Sequence, residues 1–282
     1  MKKVLGLMKL MRFELPLSAG VCVILGQVFA LDGFASIWVT ISGFLSLFLV
    51  SASILVLNDY FDVESDKVNS PERPIPSGLV SPREALFFSI FLIVTGLILS
   101  CLISWKVLLI AMVLAIIGFL YNRYFKKSGL AGNLMVSFSV GMTFVFGGAS
   151  VGLPFNKTVL FFGLIGALVD LGEEIAADSL DMEGDRLINS SSVAILHGKK
   201  TALTVSSVIF SLVITLSIIP FLLKWFTLLY LIPIGIMDLL IGFSTFKLLT
   251  VGADKQRKYI RLVYLGAIFG LILFLIMRLI GI

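Results

Sequence analysis

Charge is scarce in this chain. Only 14% of its 282 residues are Asp, Glu, Lys or Arg, against 59% hydrophobic, and the mean hydropathy is +1.08. Soluble domains carry about 25% charge, so the deficit excludes that class and indicates a polytopic membrane protein. Cysteine is nearly absent. Cys22 and Cys101 lie inside apolar runs without a paired motif, which reads as small buried hydrophobes and excludes a disulfide framework or a cysteine metal site. The one histidine, His197, falls in a polar stretch and reads as a loop residue, not a catalyst. Alternating ten-residue strands are also lacking. The apolar runs are about 20 residues long, so the spans are helices and not barrel strands. No cleavable signal peptide is expected, because residues 1–14 form a basic amphipathic lead-in to a first span.

Nine runs are long enough to cross a bilayer: 15–31, 37–58, 84–104, 107–123, 133–152, 158–177, 201–221, 226–246 and 260–280. Of the 22 Lys and Arg residues, 18 fall in segments 1–14, 59–83, 123–132, 178–200 and 247–261, which alternate onto one side. Positive-inside bias makes that side cytoplasmic, with the N-terminus inside and the C-terminus outside. This topology signal explains the formal charge of +5 without a nucleic-acid partner. It also suits contact with anionic membrane lipids.

Against this background the acids are concentrated. Thirteen of the 17 lie in 59–84 and 170–185. Asp59, Asp62 and Asp66 follow the spacing Asp-x-x-Asp-x-x-x-Asp, and Asp178, Asp181 and Asp185 repeat it 119 residues later. On a helix turning about 100° per residue, such positions fall within about 60° of one another. Each triplet is therefore expected to place three carboxylates on one helical face. Like charges so placed repel, so a cation should compensate them. Clustered oxygen ligands suit Mg²⁺, which commonly bridges carboxylates to substrate phosphates. The six aspartates are the expected metal-binding and catalytic set. A merely solvated acidic loop is the plain alternative, and the repeated spacing argues against it. Four spans separate corresponding helices of the two segments, so the halves run in the same sense. The pattern predicts a parallel internal repeat of about 15–132 and 133–250 plus a last helix, in one domain over 1–282. The two acidic loops would then share one cavity mouth.

Other loop residues are candidates for binding phosphate. Arg73 follows Pro71 and precedes Pro74 and Pro76, which stiffen its path, and a guanidinium suits bidentate phosphate contact. Tyr121, Arg123, Lys126 and Lys127 lie between the halves, and Lys199 follows the second triplet. Bases in such places are expected from topology alone. Glu174 stands four residues before Asp178, on the same helical face, and acids at the end of a span are functional candidates. Glu173 points elsewhere.

The stretch Asn58-Asp59-x-x-Asp62-x-x-x-Asp66, the Arg73-Pro74-Ile75-Pro76-Ser77-Gly78 after it, and Asp178-x-x-Asp181-x-x-x-Asp185 resemble the UbiA-type intramembrane prenyltransferases over nearly the whole chain. Within that family, Glu173 through Asp185 and Ile195-Leu196-His197-Gly198-Lys199-Lys200 are most similar to the archaeal digeranylgeranylglyceryl phosphate synthases. The resemblance implies an all-α protein of nine transmembrane helices around a central apolar cavity. It implies Mg²⁺-dependent transfer of a geranylgeranyl group from geranylgeranyl diphosphate to the hydroxyl of geranylgeranylglyceryl phosphate, which forms the second ether bond of archaeal lipids. The aspartates would hold the metal. Asn58, Arg73, Tyr121, Arg123, Lys126, Lys127, Glu174 and Lys199 would bind the substrates, a prenyl diphosphate and a lipid-phosphate acceptor, at the cytoplasmic face.

Three other readings stay open. An aromatic, quinone-precursor acceptor is the nearest, although many quinone-pathway members carry an arginine where Glu173 stands. A transporter with acidic gates would also use intramembrane acids, but these carboxylates lie at one face rather than the midplane. A membrane alcohol phosphotransferase uses aspartates and Mg²⁺ too, but its Ala-Arg step between aspartates is missing.

Overall fold

A computed structural model describes residues 2–187 and 189–281. Among these residues the chain is all helical. In order the helices are α1 Lys2–Leu10, α2 Glu14–Leu31, α3 Ile37–Phe61, α4 Val63–Asn69, α5 Pro82–Ile103, α6 Trp105–Leu120, α7 Leu130–Ser150, α8 Lys157–Asp178, α9 Met182–Leu187, α10 Val193–His197, α11 Lys199–Leu216, α12 Ile219–Leu222, α13 Leu231–Thr250 and α14 Ala253–Leu279. A π-helical turn, Tyr121–Phe125, extends α6, and a 3₁₀ turn, Leu228–Tyr230, precedes α13.

Eight of the described helical segments are long and apolar enough to cross a membrane, which makes this a multi-pass membrane protein. The run expected at 158–177 forms α8, a 22-residue helix. It stands apart from the eight because Asp170, Glu173, Glu174 and Asp178 interrupt its apolar surface. The short helices α1, α4, α9 and α10 lie in the segments where the sequence concentrates charge.

The chain divides into two compact units. The first holds Met1–Tyr124 and Met142–Leu160, the second Phe125–Gly141 and Phe161–Ile282. In the first, α3 and α5 meet along a seam of small polar residues. Ser46 Oγ donates to the Gly96 carbonyl at 2.9 Å and lies 2.5 Å from Ser100 Oγ. One heptad further along α3, Ser53 and Ser89 each donate to the other's carbonyl, at 3.0 and 3.1 Å. Lipid offers no hydrophobic drive between helices, so small residues and interhelical hydrogen bonds supply the cohesion. A Cβ at Gly96 would come within 2.8 Å of the Ser46 carbonyl oxygen, so only glycine permits this approach. The seam fixes the register of α3, whose last turn carries Asn58 and Asp59. In the second unit, Ser206 Oγ donates to the Gly172 carbonyl at 2.7 Å, and an aromatic cluster of Phe162, Phe226, Tyr230 and Phe274 packs with centroids 4.5–6.4 Å apart.

Three expectations change. The aspartate triplets do not sit on single continuous helices. Asp62 has φ −90° and ψ 4° and separates α3 from α4. Ser179 through Asp181 form a turn between α8 and α9, where Ser179 Oγ bonds back to the Ala176 carbonyl at 2.6 Å. Such local side-chain bonds compete with helix continuation. Cys101 is exposed and Cys22 only half-buried. In a membrane helix an apolar residue faces lipid as readily as core, so an apolar run does not imply burial. His197 ends the short helix α10 and does not lie in a loop.

Candidate active site

The first triplet is built by the end of α3 and the start of α4. Asp59 and Asp66 are buried, 4% and 6% exposed. Both second aspartates do the same backbone work: the Asp62 carbonyl accepts the Asp66 N–H at 2.8 Å, and the Asp181 carbonyl accepts the Asp185 N–H at 2.9 Å. Each thereby opens the helix that carries the third aspartate.

Two guanidiniums engage the first triplet. Arg73 Nη1 donates to both carboxylate oxygens of Asp66, at 2.7 and 2.6 Å, and lies 3.6 Å from Asp59 Oδ1. Arg12 Nη2 donates to the same Asp59 oxygen. The proline-rich loop holds Arg73 through its backbone. Arg73 N–H bonds to the Ser70 carbonyl, its carbonyl accepts from Ser77, and Val80 N–H reaches the Pro74 carbonyl, at 2.9–3.0 Å. Ile75 and Val80 anchor the loop in a core cluster with Leu10, Met11 and Ala85. Burial works against the charge of Arg73, but the hydrogen bond and attraction of Asp66, then Asp59 and Asp62, outweigh it and push its pKa up. Asn58 Nδ2 donates to Asn122 Oδ1 at 3.1 Å, and Asn122 Nδ2 donates to the Ile54 carbonyl at 2.9 Å. Asn122 sits in the π-helical turn, a distortion often found at functional sites. The same turn starts at Tyr121 and sets the exposed Arg123 guanidinium over the Phe61 and Tyr124 rings, 6.0 and 5.3 Å from their centroids.

The second triplet relies on amides and hydroxyls. Asp178 accepts from Asn133 Nδ2 at 2.9 Å, and Asp170 one helical stretch earlier accepts from Ser137 Oγ at 2.9 Å. Asp185 is half-buried. Burial raises its pKa, while hydrogen bonds from Ser192 and Ser190 and the Lys126 ammonium act the other way. Lys126 also acts electrostatically on Glu174, whose carboxylate shares its surroundings with Asp170, Asp178 and Glu173, so Glu173, which the spacing turned elsewhere, joins the same acidic group. The loop carrying Lys126 is strapped in place: Ser191 N–H bonds to the Lys127 carbonyl at 2.9 Å. Gly129 takes φ +62°, and a Cβ there would collide with the Ser191 carbonyl, so this crossing requires glycine. Asp181 turns to solvent, where Arg257 Nη2 donates to it at 2.6 Å. Lys127 is exposed, and Lys199 is a half-buried residue at the first position of α11.

Of the candidates read from sequence, Asp59, Asp66 and Arg73 come together in the first unit. Asp178, Asp185, Glu174 and Lys126 come together in the second. Arg12, Asn122, Asn133, Ser137 and Arg257 are partners that the motifs did not mark. Only their polarity beside long apolar runs hinted at them. Among the described residues, no three His, Cys, Asp or Glu side chains are gathered as a ready metal cage. The donor chemistry nevertheless fits a hard cation, since the candidates are carboxylate oxygens. The guanidiniums of Arg12 and Arg73 compensate Asp59 and Asp66 of the first set.

Comparison with known proteins identifies the fold and family. The model of the UbiA prenyltransferase family matches residues 19–266. The digeranylgeranylglyceryl phosphate synthase of Methanocaldococcus jannaschii is 34% identical over 267 residues, covering 93% of each chain. That of Methanococcoides burtonii is 32% identical over 233 residues, covering 83% of this chain and 82% of the relative. A solved structure described as digeranylgeranylglyceryl phosphate synthase in membranes superposes with a TM-score of 0.77 at 31% identity, over 99% of both chains. A UbiA homolog from Archaeoglobus fulgidus bound to GPP and Mg²⁺ shares the fold, with a TM-score of 0.66 at 18% identity over 94% of this chain and 98% of that one. A match across this much of the chain, with both aspartate segments inside it, makes this protein a member of the UbiA prenyltransferase family.

Proposed function

We propose that the protein transfers a geranylgeranyl group from geranylgeranyl diphosphate to the free hydroxyl of geranylgeranylglyceryl phosphate, forming the second ether bond of an archaeal lipid. The observation that carries this reading is the pair of identically spaced carboxylate sets, one with buried aspartates already matched to arginine. Names of relatives at 32–35% identity point to the same acceptor, and the fold neighbour bound to GPP and Mg²⁺ points to an allylic diphosphate as donor.

In this reading the two sets serve one reaction at the cytoplasmic mouth of the bundle, with α8 as a ninth span. Asp59, Asp62, Asp66, Asp178, Asp181 and Asp185 would hold Mg²⁺. When bound, the metal supplies positive charge to the leaving diphosphate. Six aspartates, two such ions and a diphosphate leave a charge of about −5, which Arg73, Arg123, Lys126 and Lys127 offset at the phosphates. Asn58, Tyr121 and Lys199 line the substrates' polar ends. The prenyl tail lies among apolar helices, where exclusion of water protects the allylic cation formed as its C–O bond breaks. The acceptor oxygen attacks that carbon and its proton passes to the released diphosphate, with Glu174 as a residue that would bind the acceptor.

The test is a product assay. Purified protein with labelled geranylgeranyl diphosphate should alkylate geranylgeranylglyceryl phosphate in Mg²⁺ and not in EDTA. Turnover of an aromatic acceptor in preference to the lipid phosphate would replace this reading with the quinone-precursor one.

A further inference from the structure

Arg12 belongs to neither aspartate segment, yet it reaches the first one. It stands between α1 and α2 and donates to Asp59, while Arg73 binds Asp66 and lies 3.6 Å from the same Asp59 oxygen. Two carboxylates almost closed to solvent are thus matched by two guanidiniums, and the four groups carry no net charge. Arg12 has φ 46°, a left-handed conformation that turns the chain just past the end of α1. The packing of α1 sustains it. Leu10 and Met11 are buried with Ile75 and Val80 of the Arg73 loop, and Lys3 donates to Glu84 at 2.7 Å. One packed layer therefore delivers both arginines.

A divalent cation approaching Asp59 meets an oxygen already engaged by positive charge. Adding the ion beside both guanidiniums would crowd like charges where little water screens them. We propose that Arg12 is an internal counter-ion of Asp59 that competes with the metal, so that a cation binds there only as Arg12 lets go. The inference rests on Asp59 being a metal ligand, as in the proposed function. It has a counterintuitive consequence: neutralising Arg12 tightens metal binding in the absence of substrate. Loss of an ordinary structural or substrate contact would not do that.

The experiment titrates Mn²⁺, as an EPR-visible hard cation, into the full-length protein in detergent without any diphosphate. Arg12→Gln should bind Mn²⁺ about tenfold more tightly than the unmodified protein, the scale of one charge-assisted contact. Arg12→Lys should fall between, because lysine lacks the planar fork. Lys9→Gln, at an exposed cation on the preceding helix α1, should stay within about twofold, since solvent and salt screen it. In an Asp59→Asn background the gain from Arg12→Gln should vanish. Equal or weaker Mn²⁺ binding by Arg12→Gln overturns the proposal, as does an undiminished gain without the Asp59 carboxylate. Should Arg12→Gln fold poorly, Arg12→Lys carries the same test, with affinity at or below that of the unmodified protein as the overturning result. Absence of Mn²⁺ binding in every variant, even with geranyl diphosphate added, would instead defeat the metal reading itself.

Discussion

In the first aspartate segment, arginines reach carboxylates that are nearly closed to solvent. In the second, amides and hydroxyls carry most of the load, and Arg257, which bonds to Asp181, is 74% exposed at its side chain. The spacing of the aspartates is identical, so spacing does not decide how their repulsion is relieved. The surrounding elements decide it. A rigid proline-rich loop and a docked N-terminal helix can fix guanidiniums against Asp59 and Asp66. The segment after Asp185 offers Ser190 and Ser192, which stabilise a carboxylate by hydrogen bonding but bring no charge. Asp170, Glu173, Glu174, Asp178 and Asp185 are consequently left with Lys126 as the cation whose influence is evident.

The most severe way to break the comparison is to remove one central carboxylate from each segment. Asp62→Asn and Asp181→Asn keep side-chain size and take away one charge. If both segments serve one metal–diphosphate site, each change should lower kcat by about a hundredfold or more, by analogy with loss of a key electrostatic group. The double variant should be hardly worse than the poorer single, because groups that act as a unit are lost together. Steady-state kinetics across a Mg²⁺ series for both singles and the double provide the readout. Multiplying losses would mean two independent sites.

A smaller effect is expected from the loop arginine. Arg73→Ala should cost about 1.5–3 kcal/mol in kcat/KM for the prenyl diphosphate, or roughly tenfold or more, as a charge-assisted phosphate contact is lost. Arg73→Lys should recover only part of it. Unchanged kinetics in both variants would confine Arg73 to its pairing with Asp66.

How much of this was legible in the sequence follows from the same contrast. Long apolar runs dictate helices in lipid, so the all-helical architecture and most spans could be read directly. The aspartates were legible because charge is conspicuous in such a chain. The breaks within the triplets were not, because periodicity assumes a continuous helix. Asp62 has bridge-region dihedrals and Ser179 bonds back to its own turn, and these are local choices that spacing does not encode. Arg12 was hidden for another reason. A basic residue before a first span serves topology equally well, and only the tertiary docking of α1 on the Ile75–Val80 loop brings it to Asp59. Asn122 and Asn133 were hidden likewise, since an asparagine in an apolar run announces a hydrogen bond but not its partner.

The smallest expected effect lies at Arg257, and it sharpens the comparison from the other side. Its pairing with Asp181 is as short as that of Arg73 with Asp66, 2.6 Å in both cases. Distance alone would rank them equal. Their surroundings do not: the Arg257 and Asp181 side chains are 74% and 53% exposed, against 33% and 8% for Arg73 and Asp66. An exposed pair gains little Coulomb energy in water, loses side-chain entropy and is screened by salt, so it contributes about 0.2–1 kcal/mol. Arg257→Ala should therefore leave the melting temperature almost unchanged and turnover within about twofold of the unmodified protein. Any difference should shrink further as salt is raised. A tenfold loss of turnover that persisted in high salt would show that Arg257 acts in a drier setting than its exposure indicates. The second segment would then be held by arginine as firmly as the first, and the two would solve their charge problem in the same way.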